Sequence, residues 1–480
     1  MTVRQRYAEI SQLHESPQLI AFAATPAGFF LVWAATTLLL ARSSTVYLIS
    51  PLLALVLLAP QWRTQILAFG SIFALYGMLT RQQVDPAAFP TLLVPVGLLL
   101  YGCYRTATSY HRLPRFVQRN GQIVLHAVAC GMLLTTWFFT PVGVDSKGSI
   151  VGALRFLLPY LLWRCGYMLL AGRRGTAAGS GFLDHVFYCV PAYGGTGIPY
   201  GKGYDHLIRH RADAPRAHAQ AALAGLKLLV LAWVWLAVRS ALALFVYGED
   251  VYGLRHLFLP YAFDVPRLGE AIARRDSIGL PLAWLSMFLE LFDVTLGFAA
   301  WGHMVIGALR LFGFNVFRNT YKPLLAESLV EFWRRFYYYF KELLTEFFFL
   351  PAYISIFKGY PRLRIFVAIM SAAFLGNIYY HMLLDVEELA NVGFGGTLAR
   401  VGPRSVYCFL LAFGIFVSML REQSRRGSRM ATARTSTLPG SLRRIAGVWL
   451  FYALIHIWNV NPVELTFSQR LRFLFSLFGL

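Results

Sequence analysis

The chain has 480 residues, of which 57% are hydrophobic and only 14% charged. A soluble globular chain carries about 25% charged residues, so this composition excludes an ordinary soluble domain. The net charge of +21 would suggest nucleic acid in a soluble chain, but here the basic residues cluster between apolar runs, which fits a membrane protein better.

The first 20 residues, MTVRQRYAEISQLHESPQLI, are polar and carry no evident cleavable signal, so the first apolar run is expected to be a retained span. Runs near the length that crosses a bilayer then recur. Examples are PAGFFLVWAATTLLLA (26–41), VGALRFLLPYLLWRCGYMLLAG (151–172), AALAGLKLLVLAWVWLAVRSALALFVY (221–247) and SVYCFLLAFGIFVSML (405–420). The count is roughly eleven spans, several of them short or broken by proline. The basic clusters lie at 105–119, at Arg173–Arg174 and at 421–444. With Arg4 and Arg6 inside, eleven spans place all three clusters inside and the acidic connection DVEELANVGFGGTLAR (385–400) outside. The expected fold is therefore an all-α polytopic membrane protein. Its ends are N-terminal transmembrane helices (1–150) and C-terminal transmembrane helices (385–480) with a basic cytoplasmic loop at 421–444.

Between spans, PAYGGTGIPYGKGYDH (191–206) offers Gly195, Gly197, Gly201, Lys202 and Gly203. It is not a phosphate loop: Thr196 takes the first glycine position, Gly203 replaces the hydroxyl residue, and no strand precedes it. Irregular backbone of this kind is tolerated at membrane depth when it is buried in protein or lines a cavity. Cys103, Cys130, Cys165, Cys189 and Cys408 are scattered, with no C-x-x-C and no histidine at metal spacing, so neither a metal nor a disulfide framework is expected. His303, His381 and His456 fall inside apolar segments. A histidine there is either a neutral group bonded to a neighbouring carbonyl or a general base that takes a proton from a hydroxyl.

The stretch EFWRRFYYYFKELLTEFFFLPAY (331–353) sets Arg334 and Arg335 among aromatics. Each charge in an apolar helix costs roughly 2.5–3.5 kcal/mol on insertion scales. The arginines read either as interfacial anchors that snorkel or as a grip on an anionic ligand.

Residues 293–384 resemble the core of the membrane-bound O-acyltransferase family, nearly without gaps through 303–353, with Gly313–Phe314, Asn319, Pro323, Ser328, the Glu331-Phe332-Trp333-Arg334-Arg335 block and Leu350–Pro351; the resemblance covers about 155–384 and so implies a catalytic core at 151–384. The resemblance is to its bacterial branch of alginate O-acetylation and teichoic-acid D-alanylation proteins. Tyr380–His381 matches the family's histidine in an apolar helix after an aromatic residue, and FYCVPAYGGTGIP (187–199) is similar to an upstream Phe/Pro-rich stretch. Three places depart from the pattern. Phe336–Tyr337 stands for the family's Trp-His, Thr345–Glu346 for an Arg-Asp pair, and Gly297 and His303 for acids.

The resemblance implies a helix bundle, with re-entrant or interfacial helices, around a central cavity. It implies transfer of an acyl group, acetyl favoured, from a cytoplasmic thioester (acyl-CoA or an acyl carrier) to a hydroxyl of an extracytoplasmic glycan or a secreted partner protein. His381 would be the catalytic histidine. Glu331, Trp333, Arg334, Arg335, Tyr337, Asn377 and His303 would bind substrate or support the site, with no bound cofactor. Arginine far outnumbers lysine, which favours a bacterial gene and hence a multi-pass protein of the inner membrane. Two other readings stay open: a transporter or flippase, and a degenerate member of the family acting as a scaffold.

Overall fold

In the computed structural model the described residues are 12–139, 148–189, 202–255, 263–274, 278–429, 438–460 and 465–480. Arg4, Arg6, most of the glycine-rich stretch (191–201) and the middle of the basic loop (430–437) lie outside them. Among the described residues every regular element is a helix, and the one β-type pairing is an isolated bridge between Arg211 and Phe314.

Among the described residues five helices are long and apolar enough to cross a membrane: Pro86–Thr108, Pro215–Val246, Leu280–Leu311, Pro361–Leu384 and Leu389–Ser424. Two bent pairs raise the number to as many as seven: Pro17–Ala23 with Pro26–Leu40, bent by 91°, and Val46–Leu58 with Pro60–Thr80, bent by 119°. The protein is a multi-pass membrane protein, and the described residues hold five to seven qualifying spans where the sequence suggests roughly eleven apolar runs. The first bend has a local cause. Pro26 sits at the first helical position, Thr25 before it is extended, and the Thr25 hydroxyl accepts from the Gly28 amide at 3.2 Å.

The run at 151–172 behaves differently from its neighbours. It folds as the helix Ile150–Arg173, buried along most of its length and carrying the buried Arg155 and Arg164. Those two arginines dilute its hydropathy. The connection at 385–400 is not a loop either: it belongs to the helix Val386–Arg429, which breaks at Gly393 (φ 69°). A left-handed φ of that kind is open to glycine at little steric cost.

The chain divides into two compact units. The first comprises Met1–Ala232, Trp301–Arg318 and Leu383–Asn391; the second comprises Trp233–Ala300, Asn319–Met382 and Val392–Leu480. Within the first, the Arg63 guanidinium is buried. It donates to the Ala212 carbonyl at 2.9 Å and lies over the Phe314 ring. The second unit holds most of the residues singled out by sequence.

Candidate active site

The Glu-Phe-Trp-Arg-Arg block forms the short helix Leu329–Phe336. Ser328 caps it: its hydroxyl accepts from the Glu331 amide at 3.1 Å and donates to Glu422 Oε1 at 2.7 Å. Glu331 accepts from the Glu327 amide at 2.8 Å and pairs with Arg335 one turn on. Arg335 also reaches the carbonyls of Lys322 and Leu325 at 3.4 and 3.5 Å. Arg334 points elsewhere and is exposed. The two adjacent arginines therefore do not act as one unit: Arg335 ties the helix to the preceding loop, while Arg334 stands in the surroundings.

The helix stops at Tyr337, and a second one, Tyr338–Leu344, begins at once. Such a break leaves carbonyls and amides without helical partners. The segment 319–321 supplies them. The Tyr321 amide donates to the Arg335 carbonyl at 2.7 Å and the Thr320 hydroxyl to the Phe336 carbonyl at 2.9 Å. The Asn319 carbonyl accepts from the Tyr338 amide at 3.0 Å, and Asn319 Oδ1 accepts from the Tyr339 amide at 3.1 Å. Asn319 and Thr320 are 1% and 2% exposed. This clamp fixes the bend that carries Tyr337.

The aromatics around the bend are in contact. Phe298 lies against Phe336 and Tyr337 (ring centroids 5.3 and 5.2 Å), and Tyr337 against Phe340 (5.2 Å). Phe340 packs on Tyr380 (4.7 Å), whose ring meets His381 edge-on at 5.8 Å. Trp333 is buried against Phe336 and Phe340. Burial pushes the Tyr337 phenol well above its ordinary range.

His381 sits on the helix Asn377–Leu384, the last part of the candidate span that starts at Pro361. A seven-residue π-helical stretch, Met370–Gly376, comes directly before it. Phe348 packs where a side chain on Gly376 would go, its ring carbon 2.7 Å from that position. Asn377 and His381 are four residues apart and share one helix face. Asn377 is 1% exposed, and among the described residues its Oδ1 has no hydrogen-bond partner. His456 is buried edge-on to Tyr407 at 6.0 Å. The structure thus brings Glu331, Trp333, Arg335, Tyr337, Asn377 and His381 into one unit. His303 is buried in the other, with Nδ1 unpartnered among the described residues.

Sequence reading missed an ionic network in the second unit. Arg239 donates bidentately to Asp293, Nε and Nη2 each at 2.8 Å, and Asp293 is 5% exposed. Arg267 reaches Asp293 Oδ2 at 3.4 Å, pairs with Glu249, and lies over the Tyr247 ring at 4.2 Å. Arg239 and Asp293 both lie in candidate spans, where ionisable residues are rare and functional by default. That rarity was the available signal. A side chain on Gly297 would meet Arg239 Nη1 at 3.2 Å, and Asp293 lies one turn before it.

No family model matches the sequence, and no curated protein matches it.

Proposed function

We propose that the chain is a membrane-bound O-acyltransferase of the bacterial inner membrane. Its N-terminus and the 421–444 loop are cytoplasmic, and its helices, including spans beyond the five to seven candidates, surround a central cavity. The donor is an acyl thioester from the cytoplasm, and the acceptor is a hydroxyl on an extracytoplasmic glycan or a secreted partner. His381 takes the proton of that hydroxyl as its oxygen attacks the thioester carbonyl carbon. Collapse of the tetrahedral adduct breaks the C–S bond, and the leaving thiolate receives the proton from the imidazolium. Asn377 Oδ1 accepts a hydrogen bond from the substrate, and the aromatic path through Phe340 and Tyr380 walls the site.

The observation that carries this reading is the juxtaposition on one helix face of His381 with a buried amide oxygen that lacks a partner among the described residues, next to the aromatic cluster that leads to Tyr337. A second reading, a transporter, is favoured by the Arg239–Asp293–Arg267 network alone, since ion pairs inside spans also mark translocation paths. Mass spectrometry of surface glycans from a deletion strain separates the two. Acyl groups should disappear on deletion and return with the wild-type gene but not with His381→Ala. Unchanged acylation in the deletion strain refutes the enzyme.

A further inference from the structure

The second unit contains a cavity of about 440 Å³ lined by the helices Val386–Arg429 and Leu438–His456 and by residues 327–329. Its volume falls within the range of about 300–1,000 Å³ typical of ligand pockets. The wall is apolar, made by Leu329, Phe413, Val417, Val448 and Phe451. The mouth is polar, and its two carboxylates are already engaged. Glu327 accepts from Arg444 Nε at 2.7 Å, and Glu422 accepts from the Ser328 hydroxyl at 2.7 Å. Arg421 is exposed at the mouth, in the last turn of the candidate span, and no ion pair holds it among the described residues.

In sequence, the residues from Arg421 onward are strongly basic. Residues 421–444 hold seven arginines against the single Glu422. Clusters of four to eight basic residues at the cytoplasmic end of a span attract anionic headgroups. An apolar trough with Arg421 and Arg444 in its lining, in so basic a stretch of sequence, matches a phospholipid with a chain along the wall and a phosphate at Arg421.

We propose that this groove is a specific site for an anionic phospholipid of the cytoplasmic leaflet, with Arg421 at the headgroup and an acyl chain against Phe413, Val448 and Phe451. The site does not depend on acyl transfer. It lies at the capped end of the Leu329–Phe336 helix, which rises about 12 Å to the Tyr337 bend. A bound lipid would brace the Ser328 cap from outside.

Two glycines make the site testable. A side chain on Gly414 would strike the Phe451 ring at 2.4 Å, whereas one on Gly447 would meet nothing within 4 Å. Gly447 therefore opens onto the groove, and Gly447→Leu fills the groove while improving helix propensity. Native mass spectrometry of the purified full chain, titrated with phosphatidylglycerol or phosphatidylethanolamine, reads the occupancy. The wild type should retain one phosphatidylglycerol under conditions that strip phosphatidylethanolamine. Gly447→Leu should lose it, Gly447→Ala should keep it, and Arg421→Glu should bind it about tenfold more weakly with phosphatidylethanolamine unaffected. Equal retention of both lipids by the wild type overturns the proposal, as does wild-type retention of phosphatidylglycerol by Gly447→Leu. Should Gly447→Leu fail to fold, the Arg421→Glu titration decides: an unchanged phosphatidylglycerol affinity refutes the site.

Discussion

Replacing Asp293 by alanine removes the carboxylate on which two guanidinium groups converge. Asp293 accepts two hydrogen bonds of 2.8 Å from Arg239 and one of 3.4 Å from Arg267. Breaking a buried pair by removing one partner costs about 3–5 kcal/mol, because the remaining charge is left uncompensated. Arg239 keeps a third of its side chain accessible and Arg267 keeps Glu249, which places the expected loss at the low end, about 3 kcal/mol. For a unit of roughly 150–250 residues each kcal/mol shifts the midpoint by about 2–4 °C, so Tm should fall by about 6–12 °C. The assay is size-exclusion of detergent-solubilised protein after stepwise heating. The double change Arg239→Met with Asp293→Leu replaces the pair by apolar groups of similar size and should regain most of the loss. A single Asp293→Ala variant within 2 °C of wild type, or a double variant no better than the single, would refute this reasoning.

Three further outcomes are expected. Asn319→Ala removes the acceptor for the buried Tyr339 amide and should destabilise the second unit by about 1–3 kcal/mol in the same heating assay; an unchanged midpoint would mean that the clamp is not needed for the bend. Tyr337→Phe should keep measurable acyl transfer, since burial raises the phenol away from neutral-pH proton abstraction; complete loss in folded protein would give Tyr337 the role proposed for the histidine at that place in the resembled family. His185, outside the candidate spans, is held neutral by burial, its imidazole pushed down from 6.5 to about 4. The unfolded state then binds the proton more readily, so this stability is fully present above pH 6.5 and is lost as pH falls from 6.5 to 4. Its size is up to about 3 kcal/mol, and His185→Phe should flatten the fall of Tm over that window.

The membrane class was legible because it rests on local pattern, and the proposed site residues were named from signals of the same kind. A long apolar run reads as a span, and the Glu-Phe-Trp-Arg-Arg block with a downstream aromatic–histidine pair stands out along the chain. Periodicity could not tell a lipid-facing helix from one buried in protein, which is why 151–172 looked like its neighbours. It also could not separate Arg334 from Arg335, although adjacent helical residues face about 100° apart. The clamp at Asn319 and Thr320 joins groups 16 to 20 residues distant, and Arg239 meets Asp293 across 54 residues. Such pairings are set by packing and leave no mark in either segment alone.

The central claim is that His381 carries the proton during acyl transfer. General-base catalysis is worth about 10²–10⁴-fold, so the most direct measurement is labelled-acyl incorporation into surface polymer by His381→Ala, at membrane abundance matched to wild type. Incorporation should drop by at least about a hundredfold, while His456→Ala, a buried histidine packed on Tyr407, retains most of it. Near-normal incorporation by His381→Ala would contradict the assignment and leave the transporter and scaffold readings ahead.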